Sequence, residues 1–308
     1  MTIRRNIFII LFLNILIINS YAIIKKVDEK LLSIVIPSYN NSEWYATNLA
    51  SIFSQVYTNY HVYYIDDYSS DGTYELVKKY IQVHHLEDKV TLLQNKKRLG
   101  AAGSRDFGIS LCPDESIVIN IDGDDWFSRD DFFSTINIIY NDKNIWLTYG
   151  QHFNWPTNSF GYGEDFPRKY VLKRDFRDFK WIVGHPRTFY AWLYKQIDKN
   201  DLYRDGKFFT AATDCAIMYP LLEMVGSRYK FISTIFYNRN VASEINVFKT
   251  DDRNKQRDNL LFIKKKNKYP IISSLPFNCD KTQKSYIYTI KKAGSCKKQW
   301  SSQELTTS

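Results

Sequence analysis

Apolar strand-like runs alternate with helical patterns between residues 31 and 121, and this alternation constrains the fold more than any other feature. The runs are continuously apolar, as expected for strands that are buried on both faces. They are Leu32–Ile36, Tyr60–Ile65, Val90–Leu93 and Ser116–Ile121, separated by a helix capped at Ser42 and by the helices Thr73–Val83 and Gly100–Leu111. This order predicts an α/β fold in which a parallel sheet is covered by helices.

Polar loops follow three of these strands, at residues 37–42, 66–72 and 122–128. In parallel α/β sheets, ligands bind outside the carboxyl ends of the strands. We therefore expect the three loops to converge at one edge of the sheet and to form a binding site there.

The third loop begins with the acidic cluster Asp122-Gly123-Asp124-Asp125. Three carboxylates so close together repel one another unless they are solvated or neutralised. A divalent cation such as Mn²⁺ or Mg²⁺ neutralises carboxylates and keeps coordination positions for substrate phosphates. The alternative is an acidic turn in which Gly123 supplies the bend. The position after a buried strand favours a metal-diphosphate site.

Asp66 and Asp67 end the second strand, where a carboxylate can accept hydrogen bonds from a base or ribose, while Asp71 can cap the next helix. The small residues of Gly100–Arg105 open the third helix. They favour either phosphate binding at the helix N-terminus, with Arg105 as a charged contact, or close packing of the helix on the sheet.

The second half of the chain offers candidates near two predicted helices, Pro186–Ile197 and Thr213–Val225. Asp214 can interact with the helix dipole or act as a general base. His185 and Arg187 can bind phosphate. Residues 150–180 are predicted to be long loops, and Phe231–Phe236 a strand.

Positive charge is concentrated at the two ends of the chain. The formal net charge is +9, of which residues 251–308 carry +8 and residues 1–30 carry +3, so residues 31–250 carry −2. The body is therefore not a nucleic-acid-binding surface. Beyond residue 250 the sequence predicts a basic, irregular tail.

Residues 1–24 have the pattern of a secretory signal peptide. Arg4 and Arg5 precede an apolar run from Ile7 to Ile18, followed by the small residues Ser20 and Ala22. An uncleaved membrane anchor is the alternative. We therefore expect export or membrane association, with the cytoplasmic face of a membrane as one location.

Four segments in order over residues 32–126 resemble family 2 glycosyltransferases of the GT-A fold: SIVIPSYNN, IDDYSSDGT, RLGAAGSRDFGI and INIDGDDWF. Up to about residue 250 the likeness is looser and includes GHPRTFYAWLY, TDCAIMYPLLEMVG and FYNRN. The resemblance implies a Rossmann-like mixed sheet, mostly parallel, in a domain over residues 31–250. Residues 31–126 would bind the nucleotide sugar, residues 127–250 would form the acceptor-side half, and residues 251–308 would be the tail.

The resemblance also implies roles for individual residues. Pro37, Tyr39 and Asn40 would border the nucleotide, and Asp66 or Asp67 would bind its base. Arg105 would lie near the ribose or diphosphate. Further along, Asp122, Asp124 and Asp125 would serve the metal and the donor sugar, with Asp124 or Asp125 touching the ion. Asp214 would be the catalytic base, although Thr213 replaces the acidic residue that often precedes it. A late histidine that binds the metal in many GT-A enzymes has no counterpart after His185.

These roles imply divalent-metal-dependent transfer of a sugar, with inversion, from a nucleoside-diphosphate sugar to a hydroxyl group. A UDP-sugar is the expected donor, and a glycan, lipid or protein the expected acceptor. Two alternatives stay open. One is a nucleotidyltransferase, which normally has a Gly-rich basic loop where this chain has PSYNN. The other is a non-catalytic protein that keeps only the donor cleft.

Overall fold

The computed structural model of the protein describes residues 28–243 and 253–277. Its strands are β1 (Leu32–Ser38), β2 (Tyr60–Asp66), β3 (Val90–Gln94), β4 (Ile117–Asn120), β5 (Trp126–Phe127), β6 (Leu147–Gly150), β7 (Phe153–Trp155), β8 (Ser159–Phe160), β9 (Gly184–Tyr190), β10 (Tyr203–Arg204), β11 (Lys207–Phe208), β12 (Tyr229–Ile232) and β13 (Tyr237–Asn240). Its α-helices are α1 (Tyr45–Phe53), α2 (Thr73–Val83), α3 (Gly100–Ser110), α4 (Phe132–Tyr140), α5 (Arg168–Lys173), α6 (Ala191–Lys195), α7 (Thr213–Val225) and α8 (Arg253–Lys264).

Seven strands form the central sheet in the order β12-β6-β9-β4-β1-β2-β3. Neighbouring strands pair in parallel, except that β9 runs antiparallel to both β4 and β6. The predicted α/β class, with a mixed but mostly parallel sheet flanked by helices, is confirmed.

The first half of the sheet is packed tightly by its helices. Every residue of β1 and β2 is buried. A Cβ atom on Gly108 of α3 would lie 2.6 Å from Ile65 Cδ1 and 2.8 Å from Val35 Cγ1. Gly108 therefore lets this helix approach β1 and β2 closely. It lies outside the segment Gly100–Arg105, for which close packing was one of the two interpretations; within that segment, a Cβ atom on Gly103 would lie 3.0 Å from the Phe208 ring of β11.

A second sheet of four strands has the order β5-β13-β7-β8. Phe127 and Tyr237 are paired across β5 and β13, and both are buried. Their rings are 6.1 Å apart between centroids. One face of this small sheet thus belongs to the protein core.

Three secondary-structure predictions in the second half were wrong. Residues 150–180, predicted to be long loops, contain β7, β8 and α5. The predicted helix Pro186–Ile197 is instead strand β9 followed by the short helix α6. All seven residues of β9 are buried between β4 and β6, so its apolar pattern shows no strand-like alternation. The segment Phe231–Phe236 was predicted to be a strand. Its first two residues are the end of β12, and the rest of it connects β12 to β13.

The described part of the tail is folded onto the domain, whereas the sequence predicted an irregular segment. Residues of α8 pack against the body, with Asn259 and Ile263 buried. Arg177 Nη1 donates to the carbonyl oxygens of Ile263 at 2.6 Å and of Lys266 at 3.1 Å. Residues 278–308 lie outside the described residues.

The prediction of membrane anchoring is corrected. Within residues 28–243 and 253–277, no helix is long and apolar enough to cross a membrane. The longest helix there, α7, has 13 residues, whereas a span needs about 20. The predicted signal or anchor segment, residues 1–24, lies outside the described residues.

Candidate active site

The loops that follow β1, β2 and β4 meet at the carboxyl edge of the central sheet, as predicted. The Asp67 N–H donates to Ser38 O at 2.7 Å, and the Gly123 N–H donates to Pro37 O at 3.2 Å. A Cβ atom on Gly123 would lie 2.6 Å from Asn41 Nδ2 and 2.8 Å from Ser38 Oγ. The acidic cluster therefore needs glycine at position 123 because its backbone lies directly against the end of β1.

The three carboxylates of the acidic cluster have different surroundings. Asp122 forms an ion pair with Arg105. Asp125 is buried and accepts hydrogen bonds at both oxygens, from the Tyr237 hydroxyl at 2.6 Å and from the Asn240 N–H at 2.7 Å. Burial and, after it, the charge of Asp122 raise the pKa of Asp124 to about 6. The charge of Asp124 is therefore compensated only in part by its surroundings.

No three His, Cys, Asp or Glu side chains converge as metal ligands within the described residues. Asp125 is saturated by its protein partners and Asp122 is neutralised by Arg105, which leaves Asp124. Mg²⁺ is commonly held by one or two carboxylates together with substrate phosphates and water. Because Asp124 is half-buried and its pKa is raised, it fits this mode of attachment, whereas Asp125 does so poorly.

Asp214 lies at the start of α7 between two buried arginines. Its Oδ2 is 2.9 Å from Arg187 Nη2, and its Oδ1 is 3.6 Å from Arg105 Nη1. Burial alone would raise the pKa of Asp214, but the charges of Arg187 and Arg105 outweigh burial and lower it. Its side chain is still 29% exposed, so an ionised carboxylate is accessible from outside.

Arg105 connects Asp214 to the acidic cluster, because it also forms the ion pair with Asp122. A small cavity of about 10 Å³, enough for roughly one water molecule, lies between these groups. The structure therefore brings together five of the predicted site residues: Arg105, Asp122, His185, Arg187 and Asp214. Ile217 and Met218 of α7 provide its apolar lining.

A larger, open cavity of about 490 Å³ lies beyond the ends of β1, β2 and β3. Its lining includes Tyr39, Ser69, Gln94 and Arg98. The Arg98 guanidinium lies 3.9 Å from the centre of the Tyr39 ring. Aromatic and hydroxyl-bearing side chains of this kind suit a base and a ribose.

Asn40, which was predicted to border the nucleotide, supports the wall of this cavity. It has a positive φ of 50°. Its side-chain oxygen accepts from the Ser70 N–H at 2.9 Å, and its own N–H donates to Ser69 Oγ at 2.9 Å. Asn40 therefore holds the loop after β2 in place.

Asp66 and Asp67 are both buried but differ in what they contact. Asp66 Oδ2 accepts from the Ser69 N–H and from Gln94 Nε2, each at 3.1 Å, while its Oδ1 is buried without a hydrogen-bond partner among the described residues. Asp67 accepts from the N–H groups of Leu99 and Gly100, both at 2.8 Å. Asp67 thus occupies the N-terminus of α3, where phosphate was one predicted ligand.

His185 and Arg187 lie on β9 and not on a helix, and they differ in charge. His185 is buried and stacks on Tyr237 with 4.7 Å between ring centroids. Burial and the charge of Arg187 lower its pKa well below the usual value, so His185 is neutral. A neutral imidazole can offer a phosphate oxygen one N–H donor but no positive charge. Arg187 is fixed by Asp214 and by the Val183 carbonyl at 2.9 Å.

Two residues that support the site were not among the sequence candidates. Asn48 of α1 donates from Nδ2 to the backbone carbonyls of Asp122 at 3.0 Å and Asp125 at 2.7 Å. The Tyr237 hydroxyl donates to Asp125 Oδ2 at 2.6 Å and accepts from the Asp122 N–H at 3.3 Å. A buried asparagine within an apolar helix face was the available signal for Asn48. Tyr237 lies in the FYNRN segment, where no single residue stood out.

The sequence and fold are similar to those of known glycosyltransferases. Glycosyltransferase GlyG of Streptococcus pneumoniae is 25% identical over 143 residues, which cover 45% of this chain and 46% of GlyG. The β-1,3-glucosyltransferase WfgD of Escherichia coli, named for UDP-Glc and α-D-GlcNAc-diphosphoundecaprenol, is 28% identical over 190 residues, covering 56% of this chain and 72% of WfgD. This chain therefore spans about half the length of the first relative.

Among solved structures, residues 1–349 of TarS from S. aureus, in complex with UDP-GlcNAc, superpose with a TM-score of 0.57 at 16% identity. The superposition covers 76% of this chain and 65% of the TarS chain, and it confirms the predicted GT-A fold. The family model for glycosyl transferase family 2 matches residues 33–203, more than half of the sequence. The chain therefore belongs to glycosyl transferase family 2, the family and enzyme class that its strand-end motifs predicted.

Proposed function

We propose that this chain transfers a sugar from a nucleoside-diphosphate sugar, with UDP as the expected nucleotide, to an acceptor hydroxyl with inversion. The observation that carries the proposal is the ion-pair chain from Asp122 through Arg105 to Asp214 and Arg187. It joins the predicted diphosphate end of the donor site to an accessible carboxylate. The names of WfgD and TarS, with their UDP-sugars, support the choice of donor.

In this proposal the open cavity at Tyr39 and Arg98 receives the nucleoside. Asp66 Oδ1, which has no partner among the described residues, accepts a hydrogen bond from the base. A buried acceptor atom without a donor is costly, so a ligand N–H at this position is favourable. Asp67 is assigned to holding α3 and not to the ligand.

Asp214 takes the proton from the acceptor hydroxyl as its oxygen attacks the anomeric carbon. The new bond forms as the bond from that carbon to the β-phosphate oxygen breaks, and the nucleoside diphosphate leaves with the electron pair. Arg187 and Arg105 lower the pKa of Asp214, so the carboxylate is ionised at neutral pH, which is the protonation state that a general base requires. The two arginines also fix its orientation.

Asp124 would hold a divalent cation, which when bound supplies positive charge to the leaving diphosphate. Mn²⁺ and Mg²⁺ both suit a site made of a carboxylate and phosphate oxygens. The separate environments of the three cluster carboxylates support Asp124 over Asp125 for this role.

A donor screen tests the proposal. Release of nucleoside diphosphate from UDP-, GDP- and dTDP-sugars is measured with and without Mn²⁺, for the wild type and for Asp214→Asn. Loss of a general base lowers kcat by about 10²- to 10⁴-fold, while donor binding measured by calorimetry changes little. Asp205→Asn, at a side chain that is 93% exposed, is the matched control and keeps full activity.

Two results contradict the proposal in different ways. Full transfer by Asp214→Asn would mean that another group accepts the proton. Donor binding without turnover of any sugar by the wild type would favour the non-catalytic alternative.

A further inference from the structure

The four-stranded sheet carries aromatic side chains on the face that points away from the core. Register places Trp126, Asn238, Phe153 and Phe160 side by side across β5, β13, β7 and β8. Trp155 lies two residues beyond Phe153 and therefore on the same face. The aromatic face is defined as Trp44, Trp126, Phe153, Trp155 and Phe160. Trp44 is not part of the sheet; it directly precedes α1.

Ring contacts hold these side chains together as one surface. Trp155 meets Trp126 and Trp44 edge-on, with centroids 5.5 Å and 5.6 Å apart. Trp44 and Trp126 are stacked at 6.3 Å, and the Phe153 and Phe160 rings are 6.0 Å apart. Despite these contacts, Trp155 is 37% and Phe160 71% exposed.

The core does not need this surface, because the opposite face of the same sheet supplies Phe127 and Tyr237 to the interior. Contiguous exposed aromatic residues on a folded domain mark a binding surface more often than chance. The aromatic face is therefore a candidate for a ligand that the donor site does not accommodate.

The chemistry of the face points to an uncharged ligand with both apolar and polar edges. Its sheet positions carry no Asp, Glu, Lys or Arg. The half-buried Asn238 lies at its centre and offers a carboxamide, which can both donate and accept hydrogen bonds. A pyranose ring matches this arrangement, since its C–H groups stack on an aromatic ring while its hydroxyls bond to an amide.

The face is continuous with the acidic cluster. Trp126 directly follows Asp125, and the Asn240 N–H that bonds to Asp125 is at the end of β13. The Val241 N–H donates to Trp155 O at 2.8 Å. Tyr237, which holds Asp125, points to the other side of the sheet, so a ligand on the aromatic face lies beside the reacting groups and not among them.

We propose that the aromatic face binds sugar units of a glycan acceptor beyond the unit that receives the new sugar. This inference rests on the proposed function, because it names the class of acceptor. It predicts that acceptors with several sugar units bind better than single sugars, and that the donor site is unaffected by changes on this face.

The test is binding without donor, so that it does not depend on turnover. The full chain is applied to a glycan array, and affinities for gluco- and N-acetylglucosamine oligosaccharides of increasing length are measured by calorimetry. Trp155→Ala and Phe160→Ala should each weaken binding about tenfold. Phe107→Ala and Leu172→Ala, at side chains 38% and 71% exposed elsewhere, are matched controls and should not. Thermal melts establish that all four variants are folded.

The outcomes separate this inference from the proposed function. Length-dependent glycan binding that the two aromatic variants lose supports it, whether or not donor turnover is found. It is overturned if no glycan binds, or if the aromatic variants bind as the wild type does. It is also overturned if those variants instead lose binding to phosphatidylethanolamine–phosphatidylglycerol vesicles, or change a dimer into a monomer, since the face would then contact lipid or a second copy.

Discussion

Asp124 and Asp125 are adjacent carboxylates whose pKa values are both raised by burial. They contact different groups, and we therefore propose different roles for them. Asp125 joins the acidic cluster to β13 through Tyr237 and Asn240. Asp124 keeps a charge that the protein compensates incompletely. The negative charge of Asp124 destabilises the protein when no cation is bound, and it can bind a cation when one is present.

Asp124→Asn should therefore stabilise the metal-free protein. The folded-state pKa of Asp124 is about 6, above the ordinary value of 3.8 for an aspartate, so the folded protein binds this proton more tightly than the unfolded chain does. The stability contributed by the proton is present below pH 3.8 and lost as the pH rises through 6. At pH 7 the asparagine should raise the free energy of unfolding by about 2 kcal/mol, measured by denaturant melts.

Asp125→Asn is the matched comparison, and it should stabilise the protein less than Asp124→Asn does. Burial raises the pKa of Asp125 as well, so removing its charge is favourable, but the new amide cannot accept from both the Asn240 N–H and the Tyr237 hydroxyl. The lost buried hydrogen bond costs about 1–3 kcal/mol and offsets the gain. Equal stabilisation by the two asparagine variants would argue against separate roles for the two carboxylates.

Stabilisation of the protein by Mn²⁺ should depend on pH through Asp124. The carboxylate is mostly ionised above pH 6 and mostly protonated below it. The rise in Tm on adding Mn²⁺ with a nucleoside diphosphate should therefore be large at pH 7.5 and shrink towards pH 5. Asp214 stays ionised over this range because its pKa is lowered, so it does not contribute to the change. A shift in Tm that is independent of pH between 5 and 7.5 would argue against Asp124 as the ligand.

Among individual residues, the charged ones of the candidate site could be predicted from the sequence. Asp122, Asp124 and Asp214 stand out because several carboxylates lie near the predicted ends of strands and helices. Tyr237 has no pattern in the sequence, and the position of Asn48 on an apolar helix face does not reveal what it contacts. The importance of both residues depends on contacts more than 70 residues away. The neutral state of His185 likewise depends on burial that the sequence does not reveal.

Helix α1 supports the active site by holding the backbone of the acidic cluster, although it carries no predicted catalytic residue. Asn48→Ala would leave the carbonyls of Asp122 and Asp125 without this donor. We expect a loss of about 1–3 kcal/mol in the free energy of unfolding and a rise in the KM for the donor, because the cluster is no longer fixed. Denaturant melts and donor-dependent kinetics measure the two effects.

Thr47→Ala, at an exposed position of the same helix, controls for changes in helix propensity and should alter stability by less than about 0.5 kcal/mol. An unchanged donor KM in Asn48→Ala would show that the cluster keeps its geometry without α1.

Elements with local signals were predicted well, and those defined by distant partners were not. The helix Thr73–Val83 was predicted with its observed bounds because its apolar residues follow helical spacing. Strand β9 was mistaken for a helix because both of its faces are buried, which removes the alternation that identifies a strand. Its position depends on pairing with β4 and β6, which come from distant parts of the chain.

At the scale of the whole molecule, α7 links the candidate active site to the C-terminal segment. Asp214 lies in its first turn, and Glu223 lies about 13 Å further along the helix. Glu223 is fully buried and binds Arg177 through both oxygens, at 2.6 Å and 2.9 Å. It also accepts from the Tyr269 N–H at 3.1 Å, so one carboxylate fixes both the helix and the segment after α8.

Glu223→Gln should destabilise the whole domain and not only the tail. The substitution leaves the Arg177 guanidinium buried without its counter-charge, which costs about 3–5 kcal/mol. For a domain of this size we expect a fall in Tm of roughly 10 °C.

Glu164→Gln is the matched control, because the side chains of Glu164 and of its ion-pair partner Lys180 are 57% and 61% exposed, and the pair contributes less than about 1 kcal/mol. Limited proteolysis within residues 253–277 should become faster in Glu223→Gln before the domain melts. A melt that matches the wild type would mean that Arg177 is held by the carbonyls of Ile263 and Lys266 alone, and that the C-terminal segment does not depend on α7 for its position.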